Sequence, residues 1–106
     1  MSPLLANSLK RFFSHYLPAQ KGLSENTVLS YRDAIKLLLC YAADRCKKSV
    51  DELCVEDIDE SLVLTFLDHL ETVRGCSPRT RNARLQAIRA FFGFLAREEP
   101  SLVLHC

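Results

Sequence analysis

Arginines at the start of one predicted helix are the side chains of this sequence best suited to binding another molecule. The segment from Ser77 to Arg97 contains five arginines and no acidic residue. A solvated helix face usually carries both signs of charge, and this segment does not. Arginines in the first two turns also oppose the helix dipole, which favours acids at that end. A bound anion such as a phosphate group would relieve this conflict, so the pattern indicates an anion-binding helix start.

The same segment has the features of an amphipathic helix that would hold these arginines in place. Ser77 can cap the free N–H groups, and Pro78 suits the first helical position, where no donor is needed. Apolar residues at steps of three and four predict one buried stripe, formed by Leu85, Ile88, Phe92 and Leu95. Polar side chains are predicted on roughly the opposite side, namely Arg79, Asn82, Gln86, Arg89 and Arg97.

Three further helices are predicted before this one. They run from Pro3 to Leu17, stopped by Pro18; from the cap Ser24 to about Cys46; and from Asp57 or Asp59 to Arg74, ended by Gly75. Residues 47–58 are predicted to form a polar connection with one brief helical turn, because Ser49 and Glu52 have capping-box spacing.

These helices define the predicted fold class. Pro100 should end the fourth helix, and the apolar tail 101–106 is a candidate for a short fifth helix. No strand pattern of useful length and no internal repeat is found along the chain. The sequence therefore predicts an all-α bundle of four main helices in one domain.

Composition excludes some classes of protein and leaves nucleic acid binding open. The chain of 106 residues has a net charge of only +1. Residues 1–43 and 72–106 are basic, however, whereas residues 44–71 are strongly acidic, which predicts a positive and a negative side. No apolar run is long enough for a membrane span, and no signal peptide precedes the first helix, so a cytoplasmic location is expected.

Patterns typical of catalytic and metal-binding sites are scarce in this sequence. The five cysteines have neither Cys-x-x-Cys spacing nor a histidine cluster beside them, so no metal or other cofactor is expected. The cysteines are expected to be free thiols. Asp68, His69 and Glu71 are close in sequence, but such helical neighbours point apart. Cys76 is the best candidate for a reactive thiol, since an arginine-rich helix start follows it, although no partner base is evident.

Two stretches carry a resemblance to a known family. Residues 24–32, SENTVLSYR, resemble the Ser-x-x-Thr-x-x-x-Tyr start of the second helix in tyrosine recombinases of the phage integrase family. Residues 66–71, FLDHLE, and 74–85, RGCSPRTRNARL, are similar to the end of that domain's third helix and the start of its fourth. The FFGFL ending at 91–95 also fits, so the resemblance extends from about Leu4 to Pro100.

The resemblance implies the N-terminal core-binding, or SAM-like, domain of such a recombinase, covering residues 1–106. In that family this domain and a C-terminal catalytic domain close around duplex DNA as a clamp, with the second and fourth helices facing the major groove. The catalytic domain has no counterpart in the chain, so no enzymatic activity is expected of it. The implied partners are double-stranded DNA, the catalytic domain of the same polypeptide and other recombinase protomers. The residues that fall on the two DNA-facing motifs are Ser24, Asn26, Thr27, Tyr31, Arg32, Arg79, Thr80, Arg81, Asn82, Arg84 and Arg89.

Two other functions stay open on the sequence alone. A helical protein-interaction domain could use the same basic face to bind an acidic partner. A small thiol enzyme is the third reading, and it lacks a second catalytic group.

Overall fold

The structure is a computed structural model that describes residues 2–19 and 22–98. These residues contain four main helices and no β-strand, which confirms the predicted all-α class. Helix α1 consists of α-helical Pro3–Arg11, π-helical Phe12–Tyr16 and a last α-helical turn, Leu17–Ala19. The other main helices are α2 (Glu25–Cys46), α3 (Glu60–Thr72) and α4 (Pro78–Glu98). The predicted fifth helix and the predicted stop at Pro100 lie outside the described residues.

Pro18 does not stop α1 at Leu17, so that predicted end was wrong by two residues. The segment just before the proline is π-helical, and the Leu17 N–H donates to the carbonyl of Phe12, five residues back. A proline offers no N–H and crowds the carbonyl four residues earlier. The wider π turn accommodates that crowding, and the helix continues through it.

Serine and aspartate caps start the other helices where the sequence predicts them. The Ser24 hydroxyl accepts from the Thr27 N–H at 3.1 Å, and the Ser77 hydroxyl accepts from the Thr80 N–H at 3.2 Å. Of the two starts considered for α3, the cap at Asp59 is the one observed. After α3 ends at Thr72, two residues short of the prediction, Gly75 adopts a positive φ of 66°.

The acidic connection between α2 and α3 contains two 3₁₀ turns, Val50–Glu52 and Val55–Asp57, where the sequence predicted one. The Glu52 carboxylate accepts from the Ser49 N–H at 3.3 Å, in keeping with the predicted capping box. The Asp57 carboxylate accepts from the Cys54 N–H at 2.9 Å and lies 3.0 Å from the Lys48 ammonium. The Cys54 N–H first, and Lys48 second, lower the pKa of Asp57 below its ordinary value.

Aromatic rings join α1 to the second half of α4. Phe12 is fully buried, with its ring centroid 5.4 Å from that of Phe91 and 5.5 Å from that of Phe94. The rim of this contact is polar, because the Arg97 guanidinium donates to the Tyr16 hydroxyl at 2.8 Å. This packing fixes the second half of α4 and leaves its first turns to meet α2.

The buried face of α4 is rotated from the predicted stripe. Ile88 and Leu95 are buried as predicted, but Leu85 and Phe92 are only half-buried. Phe91 and Phe94 are buried instead, because the helix packs against α1 as well as α3. The stripe therefore identified one edge of a wider buried face.

Some features of α2 and α4 recur at a spacing of 53 residues, as from Ser24 to Ser77. Gly22 and Gly75 both have a positive φ, and each precedes a serine-capped helix. Four buried positions of α2 and α4 also match at this spacing: Ala34 with Ala87, Ile35 with Ile88, Leu38 with Phe91 and Ala42 with Leu95.

Candidate nucleic-acid interface

The first turns of α2 and α4 lie side by side and form a groove of about 550 Å³, referred to below as the α2/α4 groove. Ten residues line it: Asn26, Thr27, Ser30, Tyr31, Asp33, Arg79, Thr80, Ala83, Arg84 and Gln86. Eight of these ten residues carry a hydroxyl, amide or guanidinium group. Such groups donate hydrogen bonds to phosphate oxygens and to base edges in protein–DNA complexes.

The residues that line this groove occupy corresponding positions of the two helices. The five residues from α2 and the five from α4 are the same positions at the 53-residue spacing, from Asn26 with Arg79 to Asp33 with Gln86. The groove is therefore built by corresponding faces of α2 and α4.

Arg79 and Arg84 are the two cations of the groove, and they differ in their surroundings. Arg79 is exposed and forms no ion pair within residues 2–19 and 22–98. The Arg84 side chain is only 20% exposed, with Nη2 lying 3.7 Å from Oδ2 of Asp33. Its Nη1 donates to the Cys76 sulfur at 3.2 Å. Arg79 is thus available to an anion, whereas Arg84 already has partners.

The serine and threonine hydroxyls at the two helix starts are occupied by capping. Ser24 and Thr27 have their side-chain oxygens 3.0 Å apart, and the same pair in α4, Ser77 and Thr80, is 3.1 Å apart. Both serines are exposed, and Ser24 lies at the edge of the groove rather than in its lining. These caps place the positive ends of two helix dipoles at the groove.

Besides Ser24, four of the candidate DNA contacts do not line the α2/α4 groove: Arg32, Arg81, Asn82 and Arg89. Arg81 and Arg89 line a separate, mostly apolar groove between α3 and α4. Arg81 Nε lies 2.9 Å from Oε1 of Glu71 without hydrogen-bond alignment, and its Nη1 donates to Asn82 at 3.2 Å. Arg32 lines a third groove, between α1 and α2, beside Lys36.

Helical geometry explains this division. At about 100° per residue, Arg81 is turned about 200° from Arg79, and Arg32 is turned about 240° from Asn26. The structure therefore brings together Asn26, Thr27, Tyr31, Arg79, Thr80 and Arg84. The residues that sequence reasoning missed are Ser30, Asp33, Ala83 and Gln86, and their spacing from Asn26 and Arg79 along one helix face is the signal that could have found them.

The cysteine and histidine candidates have structural surroundings. The four cysteines within the described residues, Cys40, Cys46, Cys54 and Cys76, are free. The His69 ring packs against that of Tyr41, with the centroids 5.0 Å apart. In the same part of the chain no three potential ligands cluster as a metal site would require. None of its helices has the length and apolar character needed to cross a membrane.

Comparison with known proteins gives the family. Residues 9–99 match the model of the phage integrase N-terminal SAM-like domain. The chain is 43% identical over 98 residues to y4rD of Sinorhizobium fredii, which its name describes as an integrase or recombinase, with 92% of this chain and 35% of that protein covered. It is 31% identical over 96 residues to the tyrosine recombinase XerD of Oceanobacillus iheyensis, with 91% of this chain and 30% of that protein covered.

The match is confined to one part of these proteins. The chain spans about a third of the length of the curated relatives that it matches. The comparison with solved structures gives no significant match. With a family model covering nearly all of its residues and an all-α fold that agrees, the chain belongs to the phage integrase N-terminal SAM-like domain family.

Proposed function

We propose that this chain is the DNA-binding module of a site-specific tyrosine recombinase and that the α2/α4 groove is its contact with duplex DNA. The observation that carries this proposal is the meeting of two capped helix starts around Arg79, an exposed arginine without an ion-pair partner in the described chain. Two helix dipoles and a free guanidinium at one place attract a phosphate strongly. In this proposal neutral donors that line the same groove, such as Asn26, contact neighbouring base edges.

In this proposal the module binds DNA, and another part of the full-length protein breaks the DNA strands. In the described structure no hydroxyl that lines the groove forms a hydrogen bond with Asp33, the one carboxylate there that could act as its base. In this proposal the catalytic domain lies beyond this chain, and the two domains close on opposite sides of the duplex. Further protomers of the recombinase would meet on the same DNA.

Binding of a random-sequence duplex, followed by fluorescence anisotropy, tests the proposal. We expect weak binding that falls by about 10²–10³ between 50 and 200 mM salt, as four to six phosphate contacts would give. Arg79→Ala should weaken binding and lower the salt slope by about one, since one phosphate contact is lost. Arg45→Ala is the matched control, because it removes the same charge from the opposite end of α2.

Two results would overturn the proposed surface. The first is an Arg79→Ala, Arg84→Ala double variant that binds DNA like the wild type. The second is Glu56→Lys, in the acidic connection, weakening binding as much as Arg79→Ala does. Competition separates the alternative function, because an acidic protein partner would be displaced by polyglutamate at least as well as by duplex DNA of equal charge.

A further inference from the structure

Asp33 is the one acidic residue among those lining the α2/α4 groove. Its side chain is 62% exposed, and it also borders the groove between α1 and α2, so it lies on the ridge that separates the two. The equivalent position in α4 is Gln86, which is neutral. A carboxylate at this place repels a phosphate backbone, which makes it the group in the lining least suited to binding DNA.

Within the described structure Asp33 forms one ion pair, with Arg84, whose Nη2 lies 3.7 Å from the Asp33 Oδ2. That distance is long for an ion pair, and one partner is largely exposed, so the pair is weak and exchangeable. Arg84 also donates from Nη1 to the Cys76 sulfur at 3.2 Å, and this hydrogen bond keeps the guanidinium at the groove when the ion pair with Asp33 breaks. The side chain is therefore positioned to exchange one anion for another.

We propose that Asp33 restrains Arg84, so that this arginine engages DNA only by exchanging the Asp33 carboxylate for a phosphate. The inference rests on the proposed function and adds a regulating residue to the same site. In the free protein the charge of Arg84 is balanced internally. When Arg84 moves to a phosphate, one counterion leaves the DNA while the freed carboxylate takes up another, so the exchange adds nothing to the net counterion release.

Because of this balance, the salt dependence of DNA binding reports whether Arg84 exchanges the Asp33 carboxylate for a phosphate. In Asp33→Asn no carboxylate is freed, so we expect binding to tighten about two- to fivefold at low salt, the range typical of an exposed ion pair. The slope of log affinity against log salt should become steeper by about one. The gain should be the same on all duplex sequences, since it comes from a phosphate contact.

The experiment is a double-mutant cycle of Asp33→Asn and Arg84→Gln, read by the salt slope for a random duplex. In the Arg84→Gln background Asp33→Asn should leave the slope unchanged, because no exchange takes place there. Glu56→Gln is the matched control, since it neutralises one exposed carboxylate in the connection outside the groove. Thermal unfolding followed by circular dichroism checks that each variant is folded.

The outcomes distinguish this inference from the proposed function. DNA binding by the wild type with an unchanged or weaker Asp33→Asn variant overturns the restraint and leaves the proposed function standing. A steeper slope that persists in the Arg84→Gln background assigns the effect to general charge and also overturns the restraint. Absence of DNA binding by all four proteins overturns the proposed function and the inference together.

Discussion

Arg79, Arg81 and Arg84 are indistinguishable by type and lie within two turns of one helix, yet they have three different environments. Arg79 faces the α2/α4 groove without an ion-pair partner in the described chain, Arg84 is shared between Asp33 and Cys76, and Arg81 pairs with Glu71 on the far side. Sequence reasoning assigned all three the same candidate role. What separates them is the helix face on which each one lies and the side chains packed beside it, which a single sequence does not specify.

At the same scale, Asp57 should make stability depend on acid pH. Its pKa is lowered by the Cys54 N–H and by Lys48, so the charged form stabilises the fold at neutral pH. This contribution is lost as the pH falls below the ordinary value of about 3.8 and through the lower value of the folded state. We expect Asp57→Asn to cost about 1 kcal/mol at pH 6, the worth of a hydrogen bond to a charged group that is partly exposed.

Urea unfolding between pH 2.5 and 6 measures this effect. The difference between wild type and Asp57→Asn should shrink toward zero at the acid end. Asp51→Asn is the control, because Asp51 is an exposed carboxylate of the same connection whose side chain makes no hydrogen bond or ion pair in the described structure. An equal, pH-independent cost for both variants would show that Asp57 acts through packing instead.

At the scale of elements, caps and terminators were the most predictable features. Ser24, Asp59, Ser77 and Gly75 act where the sequence places them, since a cap depends on the residue itself and on its nearest neighbours along the chain. The end of α1 and the buried face of α4 were predicted poorly. The end of α1 depends on the π turn that accommodates Pro18, and the buried face of α4 depends on packing against α1, which is distant in sequence.

Glycines at two kinds of position should respond oppositely to alanine. Gly75 has a φ of 66° and no atom within 4 Å of an added Cβ, so Gly75→Ala meets backbone strain alone, of about 1–2 kcal/mol. Gly93 lies inside α4, where an added Cβ would be 3.8 Å from Arg97 Nη1, an ordinary contact. Gly93→Ala should therefore stabilise the protein by about 0.5–1 kcal/mol.

Urea unfolding of the two variants beside the wild type checks this pair. Gly22→Ala provides an internal comparison, because its φ of 82° predicts a loss of the same kind as at Gly75. Destabilisation by Gly93→Ala would mean that the packing around α4 is tighter than the structure shows.

At the scale of the whole molecule, aromatic contacts join α1 to α4, the first and last helices of the described residues. Phe12 packs against Phe91 and Phe94 and is fully buried, so Phe12→Ala should cost about 3–5 kcal/mol. The neighbouring Phe13 is only half-buried, and Phe13→Ala should cost clearly less. Chemical unfolding followed by circular dichroism measures both, and equal losses would show that α1 does not depend on the Phe12 contact.

The corresponding faces of α2 and α4 bear on direction along DNA. The two sugar–phosphate backbones of a duplex look alike when the duplex is turned end for end. The two sides of the α2/α4 groove, by contrast, differ at four of their five matched positions: Asn26 with Arg79, Ser30 with Ala83, Tyr31 with Arg84 and Asp33 with Gln86. If the groove meets DNA as proposed, these unlike pairs determine which of the two opposite directions along the duplex the module faces.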